Sequence, residues 1–225
     1  MRLTDGMQNY LKTIYRLQER DGVVSTSSLA MALGVAAPSA TGMIKKLAQC
    51  RVVRHTPYQG VVLTKTGTRI ALEVIRHHRL LELYLTASLG FGWDAVHDEA
   101  ERLEHVISED FEERIFEVLG RPTRDPHGEP IPAKDGTVPT WNHDCLADLE
   151  PGASGTIRQV RESSPEMLRY LGAWGLVPDA PIQVLEKAPF NGPLTVKVGP
   201  ITHALGRDLA QHIRVETHPT TGASL

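Results

Sequence analysis

"STSSLAMALGVAAPSATGMIKKLAQCRVVRHTPYQGVVLT", Ser25 to Thr64, changes its period partway along. Serines and a threonine open it and can cap a short helix over Ser27–Leu33, which Gly34 ends. "AAPSATGMIKKLAQC" then starts another helix, with Pro38 near the first turn, where a missing N–H does no harm. Ala40, Ile44 and Leu47 share one face of it and should point inward. From Arg51 the pattern becomes strand, a turn with Pro57 and Gly60, and strand. Upstream, Met7, Tyr10, Leu11, Ile14, Tyr15 and Leu17 mark a first helix over residues 5–20. Three helices, the second and third joined by a tight Gly-containing turn, followed by a hairpin, make a winged helix-turn-helix.

Downstream, "KTGTRIALEVIRHHRLLELYLTASLG" reads as a long amphipathic helix over roughly Thr66–Ser88. Another should run from Asp94 to about Ile107, and Ser108 should cap a third across "EDFEERIFEVLG". Glu109 and Asp110 stand in that first turn, where the helix dipole favours negative charge. Residues 120–143 are rich in Pro and Gly, keep no period, and read as loop or linker. From about Asp144, "GTIRQVRE", "PIQVLEKA", "LTVKVG" and "HIRVE" are short strands around one short helix, "SPEMLRYLGAWG". They predict a small β-barrel. The expected fold is mainly α with a C-terminal β-barrel. Its expected domains are a DNA-binding winged helix over 1–65, a helical unit over 66–140 and the barrel over 144–217.

A composition of 41% hydrophobic and 23% charged residues fits an ordinary globular protein. No stretch approaches the roughly 18 apolar residues of a membrane helix, and the N-terminus lacks the apolar core of a signal peptide. The chain is therefore expected in the cytoplasm, away from membranes. Cys50 and Cys145 are far apart and read as free thiols. Net charge is −3 but uneven: residues 1–85 hold twelve basic and five acidic side chains, the remainder twelve and twenty-two. A basic first third joined to an acidic remainder suggests a polyanion-binding module attached to something else.

In the third helix, Ala37, Pro38, Ser39, Thr41 and Gly42 would lead into the major groove. Small residues there permit close approach, Ser and Thr can hydrogen-bond bases or phosphates, and a methyl can touch thymine. Lys45 and Lys46, one turn on, suit phosphates, and Tyr58 at the hairpin tip can reach the sugar-phosphate backbone. The alternative for the lysines is an ordinary exposed helical face.

"VHDEAERLEH", Val96 to His105, is the chemically unusual stretch. On a continuous helix, His97, Glu101, Glu104 and His105 fall on one stripe, with Asp98 and Arg102 directed elsewhere. Two carboxylates at i and i+3 repel, and a cation between them would relieve this. His78 and Glu82 form a second i, i+4 pair on the preceding long helix. Imidazole and carboxylate donors without thiolate suit Mn²⁺ or Fe²⁺, and also Zn²⁺ or Co²⁺. A surface ion-pair network with incidental histidines is the competing explanation.

With these residues in view, the chain resembles the diphtheria-toxin-repressor family of metal-dependent transcriptional regulators. "YLKTIYRL" is similar to the family's first helix. "HHRLLE" and "VHDEAERLEHVIS" resemble its metal-binding helices, and "DPHGEPIP" its loop after the dimerisation domain. "LGAWGLVPDAPIQVLEKAPFNGPLTVKVG" resembles its C-terminal SH3-like domain, shared with ferrous-iron transport accessory proteins. The resemblance implies a primary metal site of Glu101, Glu104, His105 and, from the first helix, Asn9. It implies an ancillary site of His78, Glu82 and His97, completed from the barrel, with Glu162 and Glu166 as candidates. Iron-type members have Cys at the position of Glu101 and manganese-type members Glu, so Mn²⁺ is expected first and Fe²⁺ second. Asn9 departs from the usual Met or Asp and offers an uncharged carbonyl.

The resemblance also implies a metal-loaded homodimer on a palindromic DNA operator, regulating metal uptake as a repressor, with no small organic substrate. Leu83, Val106, Phe111, Ile115, Phe116 and Leu119 could supply the dimer contact. Two other classes stay open from the residues: a hydrolase using the His/Glu cluster on water, and a winged-helix regulator indifferent to metal. Against the hydrolase, the chain has no HExxH and no obvious general base beyond the ligands.

Overall fold

Thr4 begins the described chain's first regular element by accepting a hydrogen bond from the Met7 amide. The helix it caps, α1, spans Asp5–Asp21 and stops at Gly22, whose φ of 75° needs no Cβ. The computed structural model describes residues 3–57, 59–161 and 164–218. Tyr58 and Glu162, both named above, lie outside the described residues. Ser25 caps α2 (Thr26–Ala32) through the Ser28 amide. Then α3 (Ala37–Gln49) carries Pro38 in its first turn, with no side chain capping its front. Ala40, Ile44 and Leu47 are fully buried, as their spacing predicted. The hairpin pairs β1 (Val53–Thr56) with β2 (Gly60–Leu63), Val53 opposite Leu63. Val24 adds a bridge to Val61, and the Gln18 side chain accepts from the Leu63 amide at 3.0 Å. This is the winged helix-turn-helix plan.

By packing, the chain divides into two units. One holds Met1–His78, Glu101–Arg114 and Pro132–Val138, the other Arg79–Ala100, Ile115–Ile131 and Pro139–Leu225. The core of the first is built from Leu11, Ile14, Leu29, Ile44, Leu47 and Val61, all buried. Thr64 starts α4 (Lys65–Leu89) by accepting from the Gly67 amide at 3.2 Å. A Cβ on Gly67 would meet the Val52 carbonyl oxygen at 1.9 Å, so only glycine lets this helix close onto the strand.

The next helix is shorter than expected. α5 spans only His97–Leu103, and Glu104 and His105 sit in the turn that follows, where the Val106 and Ile107 amides both donate to the Leu103 carbonyl. The four-residue stripe is therefore a helix face carrying His97 and Glu101 plus a turn carrying Glu104 and His105. Ser108 accepts from the Phe111 amide and opens α6 (Glu109–Val118), as expected. Of the six apolar positions suggested for a dimer contact, Val106 and Phe111 are exposed, Leu83, Phe116 and Leu119 are half-buried, and Ile115 is buried within its own chain.

The second unit holds an antiparallel sheet of six strands. These are β3 (Asp144–Cys145), β4 (Ser154–Val160), β5 (Pro181–Lys187), β6 (Leu194–Val198), β7 (Ile201–Leu205) and β8 (Ile213–Thr217), in the order β3-β8-β4-β5-β6-β7. Two short helices belong with it, α7 (Pro165–Ala173) and α8 (Arg207–Ala210). Alternate residues such as Ile157, Val184, Val196 and Val215 fill its core with Leu168 and Leu171 of α7. Bulges at Ile157/Gln159 and Val184/Glu186 bend it. A closed barrel was expected, and the sheet is open. Among the described residues β7 pairs only with β6, and two-residue β3 pairs only with β8, so both remain edges.

The Pro/Gly-rich segment, read as loop or linker, is a loop fixed by its own hydrogen bonds. Asp125 Oδ1 accepts from the His127 amide at 2.8 Å and the Glu129 amide at 2.9 Å, a side-chain turn typical of Asp. Gly128 follows at φ 84°, and a Cβ there would meet the Arg158 carbonyl oxygen at 1.9 Å. Gly128→Ala should therefore cost roughly 2–3 kcal/mol, from backbone strain and a forced shift against β4. Urea unfolding of the full chain measures it. Among the described residues no single helix is long and apolar enough to cross a membrane.

Candidate metal centre

Two groups of donors converge, one in each unit. In the first, α1 supplies Gln8, Asn9 and Lys12, the end of α5 supplies Glu101, the turn after it Glu104 and His105, and α4 His78. His105 places Nδ1 2.6 Å from Gln8 Oε1 and Nε2 2.7 Å from Asn9 Oδ1. Its Nε2 also lies 3.3 Å from Glu104 Oε1. Glu104 is 1% exposed, and its other oxygen is 2.5 Å from His78 Nδ1. The Glu104 backbone carbonyl is 3.0 Å from His77 Nδ1. Burial alone would raise the Glu104 carboxyl, but the His78 and Lys12 contacts outweigh it and hold the group below the usual carboxylate range. Asn9, Glu101, Glu104 and His105 thus lie close together. Lys12, which sequence reasoning left out, stands among them: its Nζ donates to Glu101 Oε1 at 2.8 Å and Glu104 Oε1 at 2.7 Å.

The second group lies in the other unit. Glu82 of α4 meets His97 Nδ1 at 3.3 Å and His127 Nδ1 at 3.9 Å. Asp125 joins them, so that Glu82, Asp125 and His127, all buried, bring one donor atom each within 4.8 Å of one another. His127 Nε2 faces the Trp93 carbonyl oxygen at 2.7 Å and must donate to it, so in the neutral ring Nδ1 carries the lone pair. That Nδ1 is buried without a hydrogen-bond partner. An imidazole oriented by a carbonyl at one nitrogen, with a bare nitrogen at the other, is how proteins prepare a metal ligand. Burial first, and the Glu82 carboxylate second, push Asp125 up to about 7, against the pull of Arg79. The Asp125 oxygen not used in the turn is 3.7 Å from Arg79 Nε, whose guanidinium also donates to Glu129 at 2.7 Å.

Asp125 and His127 were missed as donors. The signal was present, a carboxylate and an imidazole two residues apart in "DPHG", but the segment lacks helical or strand period. Glu166 is exposed in the first turn of α7 and is not in this cluster. His78 is buried on α4, one turn before Glu82, with Glu104 as its hydrogen-bond partner.

Both donor sets fit a hard or borderline divalent cation. They offer carboxylates, imidazoles and an amide oxygen, and neither free cysteine belongs to them. Mn²⁺ and Fe²⁺ both suit such donors.

Of the residues expected to touch DNA, Ala37, Pro38, Ser39, Gly42, Lys45 and Lys46 are exposed on α3, and Thr41 is half-buried. Thr41 spends its hydroxyl proton on the Ala37 carbonyl at 2.9 Å.

Three family descriptions match consecutive parts of the chain. Residues 2–61 match an iron-dependent repressor N-terminal DNA-binding domain. Residues 64–133 match an iron-dependent repressor metal-binding and dimerisation domain, and residues 145–217 a FeoA domain. The chain is 32% identical to the iron-dependent repressor IdeR of Mycobacterium tuberculosis, over 95% of this chain and 98% of that protein. It is 30% identical to the diphtheria toxin repressor of Corynebacterium efficiens, over 95% and 96%. Among solved structures, a manganese-dependent transcriptional repressor in complex with manganese is similar at 43% identity and TM-score 0.85, covering 93% of this chain and 98% of that one. ScaR with bound Cd²⁺ is similar at 30% identity and TM-score 0.78, covering 93% and 98%.

Proposed function

The chain belongs to the iron-dependent repressor family of metal-dependent transcriptional repressors, and from that membership we propose a homodimer that binds a palindromic operator when loaded with Mn²⁺ first and Fe²⁺ second. We assign the DNA-binding domain to residues 1–65, the metal-binding and dimerisation domain to 66–140 and the SH3-like domain to 144–217. Its place is the cytoplasm, with operator DNA and a second copy as partners. The hydrolase and metal-indifferent readings find no support in the relatives, which are repressors.

The observation that carries the metal half is the meeting of Asn9 with His105 at 2.7 Å. Asn9 is on the first helix of the DNA-binding domain, and His105 follows the helix that carries Glu101. An ion held by Asn9, Glu101, Glu104 and His105 ties the two segments together. A second ion is held by Glu82, Asp125 and His127, with His97 beside Glu82. Glu101, where iron-type members have Cys, is the residue that puts manganese ahead of iron. Fixing α1 fixes the presentation of α3, so metal raises the population of DNA-competent dimer.

On α3, Ala37, Pro38, Ser39, Thr41 and Gly42 face the base edges. The Thr41 methyl suits thymine, because its hydroxyl is already bonded. The uncapped front turn leaves its amides for phosphate. Lys45, Lys46 and Tyr58 hold the backbone. Lys45→Ala should weaken binding to all sequences alike and reduce the slope of log affinity against log salt by about 1. A salt series of fluorescence-anisotropy titrations reads that slope. Calorimetric titration tests the metal assignment: two Mn²⁺ per chain are expected, and no bound ion would end the reading.

A further inference from the structure

We propose that Lys12 is a tethered competitor of the primary metal ion, its ammonium holding the same carboxylate oxygens that the ion must take. The inference rests on the metal reading given above. Lys12 is 3% exposed, although it is not one of the apolar positions of α1. Its Nζ lies 2.8 Å from Glu101 Oε1 and 2.7 Å from Glu104 Oε1, and Glu104 is itself fully buried at its side chain. Two carboxylates that would repel are bridged by one resident positive charge. A divalent ion bound through these oxygens would stand within a few ångströms of the ammonium in a poorly solvated place, where like charges are costly.

Loading is therefore an exchange: the ion takes the Glu101 and Glu104 oxygens and the Lys12 ammonium gives them up. The site loses one positive charge and gains two. Two consequences separate this role from a structural ion pair. Before loading, Lys12 holds the carboxylates together, so the metal-free chain is not left with an unscreened acidic pair. During loading, Lys12 opposes the ion, so it raises the metal concentration at which the repressor responds. Lys12 thus sets the threshold of the sensor while contributing no ligand.

The test uses the full chain carrying His127→Ala, which disables the other donor cluster, and follows Mn²⁺ binding by the loss of the free-ion electron paramagnetic resonance signal. Adding Lys12→Gln should tighten Mn²⁺ binding at least tenfold and lower the melting temperature in chelator. Lys12→Arg, which keeps the charge, should not tighten it. Unchanged or weaker binding in the Gln variant overturns the exchange. If instead Glu104→Gln binds Mn²⁺ as well as its parent does, the ion does not use these oxygens, and both the exchange and the primary-site assignment fall. Should the Gln variant not fold, the chain with native Lys12 decides. Labelling of Lys12 by an amine-reactive ester, read by mass spectrometry, should rise several-fold on adding Mn²⁺, and labelling indifferent to Mn²⁺ overturns the proposal.

Discussion

Glu112→Ala should destabilise the chain by about 3–5 kcal/mol, the usual result of removing one partner of a buried ion pair. Glu112 of α6 is 2% exposed. Arg76 Nε donates to its Oε1 at 2.5 Å, and His77 Nε2 lies 3.2 Å from its Oε2. Arg76 and His77 are buried too, so truncating the carboxylate strands a guanidinium and an imidazole away from water. Arg76 also donates to the Pro132 carbonyl at 2.8 Å, which ties the ion pair to the segment after the loop. A drop in melting temperature of about 10 °C or more, read by circular dichroism, is the expected result. Burial would raise this carboxyl, but the hydrogen bonds from His77 and Arg76 outweigh it and hold it at about 2, against an ordinary 4.5. A depressed carboxyl contributes stability above the unfolded value and loses it as pH falls toward the folded one. The destabilisation should therefore shrink as the pH is lowered from about 4.5 toward 2.

Glu104→Gln should remove metal-stimulated operator binding. Metal-coupled equilibria of this kind are worth about 1–3 kcal/mol, or 5–150-fold in affinity, and nearly all of that factor should vanish. The substitution keeps the shape and one accepting oxygen, enough for Lys12 at one position while an NH2 faces His78 at the other, and it deletes the charge that a divalent ion needs. Sedimentation should still find a dimer, and anisotropy titrations with and without Mn²⁺ should give closely similar affinities. A variant that responds to Mn²⁺ as the parent does would take Glu104 out of the primary site.

Much of this was legible in the sequence where local rules decide. Pro38 in a first turn, Ser25 and Ser108 as caps and the buried spacing of Ala40, Ile44 and Leu47 follow from helix chemistry alone. The hairpin followed from a switch of period. What periodicity could not show was where tertiary partners override it. The helix begun at His97 ends at Leu103, because Glu104 is drawn inward by Lys12, His78 and His77. Lys12 reads as a solvated lysine until two carboxylates separated from it by about ninety residues meet it. Asp125 and His127 read as loop or linker with no donor role, since their placement comes from an Asp-anchored turn and from Gly128 lying against the Arg158 carbonyl, neither of which has a period. Four strands of the C-terminal sheet, β4, β5, β6 and β8, were readable from their alternation, but the two edge strands β3 and β7 were not, and whether the sheet closes depends on those edges.

That a divalent ion switches this chain into its DNA-binding form is tested most directly by one titration. The full-length protein is added to a fluorescent operator duplex selected with the Mn²⁺-loaded protein, once in Mn²⁺ and once in chelator. The account predicts an affinity 5–150-fold higher with Mn²⁺. Equal affinities in the two conditions would contradict it.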